Sequence, residues 1–173
     1  MEEEFDHVAQ SYDVSFTDTV VGKAQRGTVY RLLEDSIENW EGLNVLELNC
    51  GTGEDAIYIA EKGAKILATD ISSEMVSVTE AKTSHLSKVK SQKLDINKVA
   101  EIEGRFDLIF SNFGGLNCLS PKEFDLFIAN SHSLLNKGGK LIMVIMPSFC
   151  LWETVYFSSK FKFSQAFRRK KVE

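Results

Sequence analysis

The stretch from Asn44 to Met75 constrains this chain most: two apolar runs flank a glycine turn and a helix-length segment. Asn44 to Leu48 has no polar alternation, the pattern of a strand covered on both faces of a parallel sheet. Gly51-Thr52-Gly53-Glu54-Asp55-Ala56 follows and fits G-x-G-x-x-G/A. Gly53 to Lys62 reads as a helix with Ala56, Ile57, Ile59 and Ala60 near one face, stopped by Gly63. Lys65 to Thr69 is a second apolar strand, and Asp70 stands at its end. Glycine is required where a ligand must approach the backbone as the strand turns into the helix. An acid about 20 residues further on is placed to accept both hydroxyls of a ribose.

A G-x-G after a strand is also an ordinary tight turn, and only the acid at the next strand end shifts the balance to a nucleoside site. These features leave NAD and other adenosine ligands open. Three details favour another ligand. Glu47 sets a carboxylate beside the turn, which repels a pyrophosphate but suits an ammonium group. The word Asp70-Ile71-Ser72-Ser73-Glu74-Met75 follows the second strand. Asp95, with Ile96 after it, ends the expected third strand, where it could accept from an adenine amino group or simply cap the next turn.

At these residues the sequence resembles the class I S-adenosylmethionine-dependent methyltransferases, especially the small-molecule branch that includes the ubiquinone/menaquinone-biosynthesis type. That family's acid-x-Gly-x-Gly-x-Gly corresponds to Glu47, Asn49, Gly51 and Gly53, with Asn49 in place of the first glycine. Asn tolerates left-handed backbone better than other non-glycine residues. The resemblance covers roughly Tyr12 to Pro147. It implies an α/β, Rossmann-like, doubly wound and mostly parallel sheet in three α/β/α layers, lacking the last two of the family's seven strands. It also implies S-adenosylmethionine as cofactor, S-adenosylhomocysteine as product, and a small-molecule acceptor methylated at O, N or C by direct displacement. Glu47, Asn49, Gly51 and Gly53 would receive the methionine end, Asp70, Ile71 and Met75 the ribose and adenine face, and Asp95 with Ile96 the adenine. Tyr12, in an N-terminal lid over residues 1–21, could face the sulfonium. The alternatives are an NAD-dependent oxidoreductase and a non-catalytic nucleotide-binding or interaction module.

Composition narrows the setting. The chain has 173 residues, 43% hydrophobic and 26% charged, enough for one well-filled domain. No run of about 18 apolar residues offers a membrane span. The acidic start, Met1-Glu2-Glu3-Glu4, is unlike a secretory signal, so a cytoplasmic location is expected. Cys50, Cys118 and Cys150 are widely spaced, and His7, His85 and His132 lack metal-ligand spacing, so neither a disulfide frame nor a metal is expected. Lys160, Lys162, Arg168, Arg169, Lys170 and Lys171 oppose only Glu173 after Val155; the net charge of −5 therefore hides a basic tail and a body near −10. Such a body argues against nucleic acid as the main substrate.

The remaining elements follow in order. The amphipathic segment Phe5 to Asp13 is either the lid or a helix packed by Phe5 and Val8. Gly22 to Trp40 is expected as a helix burying Val29, Leu32, Leu33, Ile37 and Trp40. A helix capped by Ser73 carries Met75, Val76, Val78 and Ala81. Val89 to Leu94 is polar enough for an edge strand, and Phe106 to Ser111 apolar enough for an inner one. Asn112 and Phe113 begin a loop with two glycines that should face the transferable methyl. Pro121 to Leu135 is expected as a helix covering the sheet with Phe124, Leu126, Phe127, Ile128, Ser131 and Leu134, and Lys140 to Met146 as strand five. The binding domain is thus set at 22–147, with 148–173 as the start of a substrate-side cap or tail. The chain reads as a fragment of a longer fold, its edge beside strand five covered by the tail or by a second copy. No side chain is assigned as catalytic; Tyr12 or His7 would be the base if the acceptor must lose a proton.

Overall fold

The computed structural model describes residues 6–7, 9–147 and 149–166. Five strands, β1 (Asn44–Leu48), β2 (Lys65–Asp70), β3 (Val89–Lys93), β4 (Phe106–Ser111) and β5 (Leu135–Met143), form one sheet in the order β3-β2-β1-β4-β5. Every pairing is parallel. The longer α-helical elements are α1 (Val20–Ser36), α2 (Glu54–Glu61), α3 (Ser73–Thr83), α4 (Pro121–Leu134) and α5 (Leu151–Ser159), with a single turn α6 (Phe163–Ala166) and short 3-10 or π-helical segments elsewhere. The chain winds from β1 outward to β3, then returns to the other side of β1 for β4 and β5. The switch point therefore lies at the carboxyl ends of β1 and β4, where such folds bind ligands.

Side-chain alternation along β1 divides the core. Val45 joins Leu108 and Phe110 under α1 and α2, packed by Val29, Leu33, Ile37, Trp40, Ile59 and Ala60. Leu46 and Leu48 join Ile109 on the opposite face, packed by Val99, Ile102, Phe127 and Leu134. With a two-residue repeat, Glu47 shares the face of Val45 and so points beneath α1 and α2. That placement decides the electrostatics described below.

Several expectations shift. Helix α1 ends at Ser36, so Ile37 and Trp40 are buried from the connection to β1, and Leu32 is exposed. The cap of α3 is Ser72, whose hydroxyl accepts from Met75 N, and not Ser73. The buried face of α3 runs through Met75, Val76, Thr79 and Thr83, leaving Val78 half-buried and Ala81 exposed. Leu126 and Ile128 of α4 face solvent. Strand β5 begins before the Gly138-Gly139 pair, accommodates it as a register irregularity opposite Phe106 to Leu108, and leaves the ladder at Met143. The end of α4 is thus followed directly by strand, because Asn136 Nδ2 donates to Asp107 Oδ1 at 2.7 Å and ties the turn to β4. Phe5, Val8 and the basic residues from Arg168 to Lys171 lie outside the described residues. No helix among the described residues is long and apolar enough to cross a membrane. The apolar segment 149–163 leaves Phe149, Leu151, Trp152, Phe161 and Phe163 exposed, with Trp152 at 82%.

Candidate functional site

A cavity of about 400 Å³ opens at the switch point. The turn after β1 forms its floor. Asn49, Gly51 and Gly53 all have positive φ, at 51°, 55° and 82°. A Cβ on Gly51 would project into open space, so glycine there serves the backbone conformation and leaves room for a ligand close to the chain. A Cβ on Gly53 would instead meet Thr79 at 2.7 Å, so that glycine lets α2 approach α3. Asn49 adopts the left-handed conformation, which asparagine tolerates better than other non-glycine residues. Its side chain is drawn off to β4: Ser111 Oγ donates to Asn49 Oδ1 and Asn49 Nδ2 to Asn112 O, both at 2.6 Å.

Asp70, at the tip of β2, holds the turn from the side. Its Oδ2 accepts from Gly51 N at 2.9 Å and its Oδ1 from Ser72 N at 3.0 Å. Burial pushes its carboxyl up from the ordinary aspartate value, against those two amides, which favour the charge. Asp95 caps the turn after β3, accepting from Asn97 N at 2.9 Å, and lines the same cavity as Asp70. A carboxylate oxygen accepts more than one hydrogen bond, so neither role uses up the acid.

Of the residues singled out in the sequence, Tyr12, Asn49, Gly51, Asp70, Ile71, Met75, Asp95, Ile96, Asn112 and Phe113 line the cavity. Glu47 and Gly53 do not. Gly53 lies behind the turn. Glu47 lies beneath it, 1% exposed, and its Oε2 has no hydrogen-bond partner. Burial, with Asp55 beside it, raises its carboxyl well above the usual glutamate value, and Arg26 opposes the shift only in part. His7 is exposed and is not part of the wall. Burial also raises the Tyr12 phenol, which leaves less of the phenolate it would need to act as a base. Among the described residues no cluster of three or more His, Cys, Asp or Glu could hold a metal ion.

The N-terminal segment is clasped over this cavity. Thr52 Oγ1 donates to Asp13 Oδ1 at 2.5 Å, Lys82 Nζ donates to Asp13 Oδ2 at 2.8 Å, and Lys82 also pairs with Glu54. Burial opposes the Asp13 charge, yet Lys82 and Thr52 hold its carboxyl below the usual range. Phe16 packs edge-on against Phe113 at 5.2 Å, with Tyr12 5.6 Å from Phe16. On the far wall Asn117 accepts from Met146 N and donates to Met146 O, tying the exit of β5 to the loop after β4.

Arg26 and Asp55, which the sequence reading passed over, also line the cavity. Arg26 lies on the buried face of α1 with Gly22, Val29 and Leu33, and Asp55 on the buried face of α2 with Ala56 and Ile59. Each falls at helical spacing with the buried residues of its own helix, the one trace of its burial that the sequence carries.

A family profile described as "Methyltransferase domain" matches residues 45–139. Demethylmenaquinone methyltransferase of Renibacterium salmoninarum is 29% identical over 154 residues, 88% of this chain and 62% of that protein. Phosphoethanolamine N-methyltransferase 1 of Arabidopsis thaliana is 31% identical over 119 residues, 68% of this chain and 23% of that one. The chain thus spans less than two thirds of these relatives. Among solved structures, the DhpI-SAM-HEP complex aligns with TM-score 0.70 at 20% identity, covering 91% of this chain and 68% of that one. Magnesium protoporphyrin IX methyltransferase of Synechocystis PCC 6803 with bound SAH aligns with TM-score 0.62 at 24% identity, covering 80% and 60%. These likenesses are to the fold.

Proposed function

The chain belongs to the methyltransferase domain family, and on that premise we propose that it binds S-adenosylmethionine and transfers the methyl group to an O, N or C nucleophile of a small molecule. The observation that carries this reading is the cavity over the open Gly51 turn, with Asp70 and Asp95 at successive strand tips on one wall. The residues present fit that cofactor. Asp70 can accept from ribose hydroxyls, and Asp95 with Ile96 can take the adenine edge. Arg26 is the only base among the described residues lining the cavity and suits a carboxylate. A pyrophosphate would instead be repelled by Asp70 and Asp95, which line the same cavity. The cofactor supplies a methyl group on a sulfonium, already activated for displacement.

What remains for the protein is placement. Alignment of donor and acceptor can supply about 7 to 11 kcal/mol of a barrier, so no side-chain nucleophile is needed. Tyr12 and Phe113 line the cavity, and an aromatic face turned toward a positive sulfur would attract it. The loop from Asn112 to Leu119 and the Met146 wall bound the side left for the acceptor. The names of the relatives support small molecules as acceptors. Free cysteines suit a reducing cytoplasm, and the edge at β5 suits pairing with a second copy. Isothermal titration with S-adenosylhomocysteine and with NADH tests the reading: binding of the first alone is expected, and binding of NADH alone would overturn it.

A further inference from the structure

Three elements meet at one carboxylate on the cavity wall. Asp55 Oδ1 accepts from Arg26 Nε at 2.9 Å and from the Tyr30 hydroxyl at 2.8 Å; Oδ2 accepts from Asn112 Nδ2 at 2.8 Å. The side chains of Asp55 and Arg26 are 5% and 12% exposed. The guanidinium carbon lies 4.8 Å from the centre of the Phe113 ring, which braces the group from another side. An acid on the cavity wall would ordinarily repel a carboxylate, but three donors converge on this one. Its charge is spent on holding them. A guanidinium held through Nε keeps its two terminal nitrogens as a planar fork, the geometry that matches a carboxylate.

Resting on the cofactor reading above, we infer that Asp55 is the positioning residue for the amino-acid end of the cofactor. It holds Arg26 and Asn112 in one orientation, so that the cavity selects nucleosides carrying an amino-acid tail over nucleosides without one. Asn112 extends the effect into the turn, because its backbone oxygen accepts from Asn49 and its Oδ1 from Phe113 N. Asp55 thereby links the floor of the site to the loop that borders the acceptor side.

The test compares S-adenosylhomocysteine with 5′-methylthioadenosine, which keeps the nucleoside and the thioether but lacks the tail. The wild-type protein should bind the first more tightly. In Asp55→Asn the amide offers one acceptor oxygen to three donors, so either Arg26 or Asn112 faces an NH₂ group. Affinity for S-adenosylhomocysteine should fall about tenfold or more, and that for 5′-methylthioadenosine by no more than about twofold. Arg26→Gln leaves the Tyr30 and Asn112 bonds to Asp55 in place and should show the same selective loss. The exchange Asp55→Asn with Asn112→Asp restores an acceptor opposite the amide and should recover much of the preference. Equal loss of both ligands in folded Asp55→Asn overturns the assignment, as does no loss of either. An unchanged preference in Arg26→Gln overturns it even if Asp55→Asn does not fold. A wild-type protein that binds neither ligand removes the cofactor reading itself, and this assignment with it.

Discussion

Replacing Asp70 with alanine separates a structural role from a binding role. In the folded chain the carboxylate accepts two backbone amides, Gly51 N and Ser72 N, and is 7% exposed. Alanine leaves both donors without that acceptor, and a buried donor left unmatched costs about 1 to 3 kcal/mol. Part of the loss is offset, because burial disfavours the Asp70 charge in the first place. A net destabilisation of about 1 to 3 kcal/mol is expected, and for a chain of this size each kcal/mol lowers the melting temperature by about 2 to 4 °C. Binding should weaken further, by about 1.5 to 3 kcal/mol, because charge-assisted bonds to the ribose are lost; that is about 10- to 150-fold in Kd. Titration calorimetry with S-adenosylhomocysteine, well below the melting temperature of the variant, measures the second quantity without the first. A variant that melts earlier yet binds with wild-type affinity would refute the reasoning, since Asp70 would then only brace the Gly51 turn.

Two further outcomes follow from residues beneath and behind the turn. The folded chain holds the Glu47 proton more tightly than the unfolded chain, so stability from this group is full below the ordinary glutamate pKa of about 4.3 and is lost as pH rises through the raised folded value. Glu47→Gln should remove that part of the slope, and parallel urea curves for the two proteins across this window would contradict it. Gly53→Ala strains a φ of 82° by about 1 to 2 kcal/mol and drives a methyl against Thr79, whose hydroxyl bonds Gly51 O at 2.9 Å. A loss of about 2 to 4 kcal/mol in chemical denaturation is expected, and a loss below about 0.5 kcal/mol would show that the turn relaxes.

The inner strands were legible because they are covered on both faces: β1 spans the predicted Asn44 to Leu48, and β2 runs one residue past Thr69 to include Asp70. Gly51, Asp70 and Asp95 were legible because turn chemistry and strand ends are written locally. Arg26 and Asp55 were not, because a charged residue in a helix is read as solvent-facing until the packing of that helix is known. Glu47 was legible as an acid beside the turn, but strand alternation sends it under the helices and off the cavity wall. The loop pair Gly114 and Gly115 was expected to face the transferable methyl. Cβ atoms there would meet Met146 and Asn49, so these glycines serve packing within the wall.

The two tryptophans of the chain occupy opposite extremes. Trp40 is 7% exposed in the core beside α1, and Trp152 is 82% exposed on α5. Their fluorescence therefore separates by solvent accessibility. A soluble quencher reaches only the second, so its emission isolates whatever settles on the segment that follows the sheet, and the unquenched remainder reports on the integrity of the interior.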